Sequence, residues 1–133
     1  MTNQANGTFE VKLIPQEQDD TFNDSSISRI TIDKTFRGDL EGISKGHMLS
    51  SQTGTEGSAG YVAIERVTGT LQGRSGTFVL QHSGTMARGV PQLAITVVPD
   101  SGTGQLTGLS GNMKINISEG QHFYEFDYML PDV

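Results

Sequence analysis

The stretch GYVAIERVTGTLQGRSGTFVLQHSG, running from Gly60 to Gly84, decides the fold. On either side of Gln72-Gly73 inward and outward positions alternate, with Tyr61, Ala63, Glu65 and Val67 before the break and Phe78, Leu80 and His82 after it. A period of two marks a strand with one buried face, and a glycine in a two-residue break supplies the left-handed backbone that a tight hairpin needs. With Gln72 and Gly73 as the turn, Val67 lies opposite Phe78, Glu65 opposite Leu80, and Ala63 opposite His82. One face of the hairpin therefore carries aromatic and aliphatic side chains together with a carboxylate and an imidazole.

The break belongs to a phrase, Leu71-Gln72-Gly73-Arg74-Ser75, which has counterparts at Leu40-Glu41-Gly42-Ile43-Ser44 and Leu106-Thr107-Gly108-Leu109-Ser110. All three read as the same hairpin turn. Outward from them, Thr8 to Ile14 alternates and is stopped by Pro15, Ile27 to Gly38 pairs with Ile43 to Gln52, and Pro91 to Val98 is a short apolar strand. Asn112 to Ser118 and Gln121 to Leu130 pair around Glu119-Gly120. Gln16 to Ser26 and Thr53 to Gly60 are polar and aperiodic, and are predicted to be surface loops, the first of them mobile. No window has apolar residues at helical spacing. The expected fold is all-β, a closed antiparallel barrel of eight or nine strands with almost no helix, because closure covers the apolar face and removes the edges.

A chain of 133 residues fits one domain, with residues 1–6 and 131–133 as loosely ordered termini. The absence of cysteine excludes disulfides, thiolate nucleophiles and cysteine-ligated zinc. A net charge of −6 with nine scattered Lys and Arg argues against nucleic acid and anionic membranes. The N-terminus lacks the basic start and apolar run of a signal peptide, and no long apolar segment follows, so a soluble cytoplasmic protein is expected.

Glu65 and His82 are diagonal neighbours in the hairpin register, at a backbone separation of about 7–8 Å that lets the side chains meet. In an apolar chamber they form either a general acid–base pair or a structural hydrogen bond between two buried polar groups. Around Glu119-Gly120 the register sets Ile117 opposite His122, Ile115 opposite Tyr124 and Met113 opposite Phe126. His122, Tyr124 and Tyr128 then share an inward face, as Tyr61 does in the earlier hairpin. These side chains either line a ligand cavity or fill a core with their hydroxyls bonded to backbone at the barrel ends.

Chemical motifs of higher specificity are missing. His47, His82 and His122 have no histidine partner at ligand spacing, so no metal is expected, and no cofactor. Gly102-Thr103-Gly104 has no following helix and no Gly-Lys-Ser/Thr, and reads as turn chemistry rather than a phosphate loop. A serine nucleophile is not expected. Arg66 and Arg74 lie on or near the turn side of the central hairpin, where they pair with surface carboxylates or clamp a substrate anion.

The segments Tyr61-Val62-Ala63-Ile64-Glu65-Arg66, Gly73-Arg74-Ser75-Gly76-Thr77-Phe78, Val98-Pro99-Asp100-Ser101-Gly102-Thr103-Gly104 and His122-Phe123-Tyr124-Glu125-Phe126-Asp127-Tyr128 together resemble the bacterial domain of unknown function 3224 family, over residues 6–130. The resemblance implies a closed antiparallel barrel similar to that of plant allene oxide cyclase, a relative of the lipocalin-like barrels. It implies no reaction, and no cyclase residue maps onto this chain.

The expected function is binding of an apolar or amphipathic small molecule in the barrel. Tyr61, Phe78, His82, His122, Tyr124 and Tyr128 would line the cavity and Glu65 would contribute its charge. One alternative is a cofactor-independent cyclase or isomerase in which Glu65 and His82 move a proton. Another is an interaction module with a filled core that assembles, as a homo-oligomer for example, through outward residues such as Val62 and Phe123.

Overall fold

A computed structural model describes residues 2–16 and 27–131. Eight strands run in order around a closed antiparallel barrel: β1 (Asn3–Pro15), β2 (Ile27–Gly38), β3 (Leu40–Gln52), β4 (Ala59–Leu71), β5 (Arg74–Ala87), β6 (Val90–Val97), β7 (Ser110–Ser118) and β8 (Gln121–Met129). β8 closes the barrel on β1. A single 3-10 turn, Gly104–Leu106, is the one helical element among the described residues. The loop expected over 16–26 falls almost wholly outside them.

The central hairpin has the expected register, with Val67 opposite Phe78, Glu65 opposite Leu80 and Ala63 opposite His82. The last hairpin pairs Ile117 with His122, Ile115 with Tyr124 and Met113 with Phe126, also as expected. β1 starts earlier than the alternation suggests. Asn3 to Phe9 pair with β8, so Asn3 to Asn6 are strand rather than a loose terminus.

The tripled phrase is not a tripled turn. Only its second copy bends the chain, at Gln72 (φ 46) and Gly73 (φ 87). In the first copy the chain reverses at Gly38 (φ 109) and Asp39, and Leu40 to Ser44 already belong to β3. The third copy carries the chain from the 3-10 turn into β7. The turn that does recur is a two-residue X-Gly step with both residues left-handed: Gln72-Gly73, Arg88-Gly89 and Glu119-Gly120.

The two ends of the barrel differ. Toward the β2–β3 and β4–β5 turns the interior is packed with Leu40, Leu71, Phe78, Leu106, Leu109, Phe126 and Tyr128, all buried. The connection between β6 and β7 folds across this end. It donates from Val98 to Val79 and from Thr103 to Thr77, and it inserts Leu106 and Leu109. Gly102 and Gly76 serve this plug, since a Cβ on either would strike the carbonyl of Leu106 or Thr103. Toward the other end the inward positions of β1, β5, β6 and β7 are apolar and open to solvent, with Leu13 51%, Met86 43%, Leu93 47% and Ile117 62% exposed, while β2 and β3 present Ser28 and Ser50.

Between β6 and β7 the ladder is short. Only Ile95 with Met113 and Thr96 with Asn112 pair, against seven or more pairs between all other neighbouring strands. The unpaired halves, Val90 to Ala94 and Lys114 to Ser118, flank a seam that opens toward the exposed apolar end.

Candidate functional site

β2 alternates Ile32, Lys34 and Phe36 on its inward face, all three buried. A lysine at an apolar position needs a counter-charge, because an isolated buried ammonium is costly. Glu65, fully buried on β4, supplies it, with Lys34 Nζ 2.8 Å from Glu65 Oε2. The same oxygen lies 2.9 Å from His82 Nε2 on β5. The carboxylate is an acceptor, so Nε2 carries the hydrogen and donates. In the neutral ring Nδ1 is then the acceptor, and it faces the Tyr61 hydroxyl at a longer 3.4 Å.

Two glycines make room for this arrangement. Gly46 lies opposite Glu65, and a Cβ there would strike the Ile64 carbonyl and the Glu65 backbone. Gly84 lies beneath Tyr61, whose ring a Cβ would meet at 2.5 Å. The aromatic ring is thus held against the sheet with its hydroxyl toward His82.

On the opposite wall Lys34 Nζ sits 5.0 Å from the centre of the Phe9 ring and 5.8 Å from that of Phe36, within cation–π range. Phe9 packs in turn on His122, ring centres 5.1 Å apart. A belt of contacts therefore crosses the barrel from His122 through Phe9, Lys34, Glu65 and His82 to Tyr61. It lies between the packed end and the open apolar end.

The belt unites Tyr61, Glu65, His82 and His122 of the residues singled out from the sequence. Phe78, Tyr124 and Tyr128 lie in the packed end. Phe78 stacks on Phe126. The Tyr124 hydroxyl accepts from the Leu40 amide at 2.8 Å and faces the carbonyls of Arg37 and Leu40 at 3.0 and 3.1 Å, and the Tyr128 hydroxyl donates to Gln72 Oε1. These two hydroxyls tie β8 to the turns at that end. Sequence reading missed Lys34, although its place between Ile32 and Phe36 in an alternating strand was a usable signal.

Burial alone would push the Glu65 carboxyl up. The hydrogen bond from His82 and the charge of Lys34 outweigh it and hold the carboxyl below the usual glutamate range. Burial and the nearby Glu65 charge push the Tyr61 phenol up, so it stays protonated and able to donate. Glu65 Oε1 and Ser44 Oγ, both buried, have no hydrogen-bond partner among the described residues. Ser44 on β3 pairs directly with Lys34 and lies one inward position along from Gly46, the partner of Glu65.

His47 points outward, away from the belt, and no group of three metal-binding side chains occurs among the described residues. No helix among them is long and apolar enough to cross a membrane. On the outer wall Leu49, Val62 and Ile64 are neighbours on β3 and β4, each about half exposed, whereas Phe123 is partly covered.

The chain has relatives. The family described as "Protein of unknown function (DUF3224)" matches residues 5–128. The chain belongs to the DUF3224 family. A crystal structure of a DUF3224 protein of unknown function from Shewanella oneidensis MR-1 shares 49% sequence identity, with 100% of each chain covered and a TM-score of 0.92. No curated protein matches. For a DUF3224 chain, a functional reading rests on the geometry of the interior.

Proposed function

We propose that this DUF3224 protein binds an amphipathic small molecule whose polar end meets the Lys34–Glu65–His82 cluster and whose apolar part lies toward Met86, Leu93 and Ile117. The observation that carries the reading is a buried, charged cluster beneath an exposed apolar mouth. Replacing such a cluster with aliphatic side chains is often neutral or stabilising, so stability alone gives little reason to keep it. A placed polar floor under apolar walls is the usual composition of a small-molecule site. Native mass spectrometry of the protein purified from its own host tests this. A retained small molecule, lost on Glu65→Leu with Lys34→Met, is expected. A bare protein mass together with no uptake of the neutral fluorophore N-phenyl-1-naphthylamine would sink it.

A second reading, proton-transfer catalysis without a cofactor, is favoured by the 2.9 Å bond between His82 and Glu65. Glu65 orients the ring through Nε2, leaving His82 Nδ1 as the base. The closed eight-stranded barrel, akin to that of plant allene oxide cyclase in our reading, is compatible with such chemistry but assigns no residues. Incubation with 2-undecanone in D2O separates the two readings. His82-dependent incorporation of deuterium beside the carbonyl supports catalysis, and none with the unaltered protein removes it.

A further inference from the structure

We infer that the polar floor selects a neutral hydroxyl as the ligand's head group; this rests on the binding reading above. Glu65 Oε2 is saturated by Lys34 and His82, whereas Oε1 is buried without a donor. Ser44 Oγ is equally buried and has neither donor nor acceptor among the described residues. An unpaired carboxylate oxygen inside a protein costs its full desolvation, so it calls for a donor. The serine hydroxyl calls for an acceptor.

One group that is both donor and acceptor answers both needs: its O–H donates to Glu65 Oε1 and its oxygen accepts from Ser44 Oγ. The two side chains lie on adjacent strands, diagonal to one another on the inward face. A carboxylate head offers no hydrogen and sets a second anion against Oε1. An ammonium head offers hydrogens but no lone pair, and adds a cation beside Lys34, which Glu65 already neutralises. Charge and hydrogen-bond complement together leave the alcohol. Its chain then extends toward Met86, Leu93 and Ile117, where the apolar inward positions are exposed.

Titration of the 15N-labelled protein with 1-decanol, decanoate and decylammonium at about pH 8 tests the selection. Decanol is expected to shift the amides of Ser44, Glu65 and His82 and to bind roughly tenfold tighter than either charged analogue, the difference set by unpaired buried groups. Ser44→Ala removes a hydroxyl that has no protein partner, so the fold should be kept. It should weaken decanol about fivefold or more while leaving N-phenyl-1-naphthylamine unchanged. Equal binding of the three head groups, or indifference of decanol to Ser44→Ala, overturns the head-group assignment and leaves the binding reading standing. That result would mean that the two orphan atoms are served by water. If neither the decyl series nor the naphthylamine perturbs the interior, the binding reading falls as well.

Discussion

Lys34 holds the interior charge in balance. Removing it as Lys34→Met strands a buried carboxylate, and a broken buried pair costs about 3–5 kcal/mol. Adding Glu65→Leu removes the stranded charge and should recover most of that loss, which urea unfolding of the single and double variants will measure. Glu65 also makes stability depend on pH. Its folded pKa lies below the unfolded value, so the unfolded chain binds the proton more readily. The stabilisation is complete above the ordinary glutamate pKa of about 4.3 and is lost as pH falls through the lower folded value. Glu65→Gln should flatten the acid limb of a urea-midpoint profile run from about pH 6 to pH 3, and an unchanged limb would assign it to other carboxylates. Glu65 and His82 were legible in the sequence because one two-residue turn fixes every pairing in their hairpin. The inward place of Lys34 could be read from the alternation of β2, but its pairing with Glu65 could not, because nothing local links β2 to β4. The pair meets only when β3, with Gly46 letting the strands approach, lies between them.

At the level of elements, periodicity identified the strands and the glycines misled about two bends. A residue followed by glycine does not by itself set a turn: Glu119-Gly120 bends the chain, whereas Glu41-Gly42, the same pair of residue types, stays within β3. Gly42 instead lets β3 approach β4, since a Cβ there would strike the Thr68 carbonyl. The weak element is the β6–β7 seam, with two paired positions. Its facing edges have amides with no partner strand among the described residues, so they should exchange with solvent roughly 100-fold or more faster than the amides of β4, which is paired along its length on both sides. Hydrogen exchange followed by NMR measures this directly. Equal protection in Val90–Ala94 and in β4 would show that the seam closes in solution. Nothing in the sequence announced the seam. It arises because the β6–β7 connection is spent on plugging one end, where its backbone continues the pairing of β5 beyond Val79, and β7 is left to meet β6 only at the waist.

Taken whole, the barrel has one packed end and one exposed end; in the proposed binding reading stability belongs to the first and access to the second, and mutation separates the two. Phe126 is fully buried between Phe78 and Tyr128, so Phe126→Ala leaves a cavity that its neighbours cannot fill and should cost about 3–5 kcal/mol. Leu93 and Ile117 also point inward by register, yet they are 47% and 62% exposed. A side chain that remains in water contributes little transfer free energy, so Leu93→Ser with Ile117→Ser should change stability by no more than about 0.5–1 kcal/mol. A ligand chain laid against those two positions would lose its apolar wall, so the same double variant should bind N-phenyl-1-naphthylamine roughly tenfold more weakly, about 1.4 kcal/mol. Urea unfolding and fluorescence titration of both variants give four numbers, and their pattern decides the matter. If the rim variant unfolds as easily as Phe126→Ala, the mouth is core and the barrel has no access end. If it keeps both its stability and its affinity for the fluorophore, the ligand lies elsewhere, the outer wall around Leu49, Val62 and Ile64 being the next apolar surface to test.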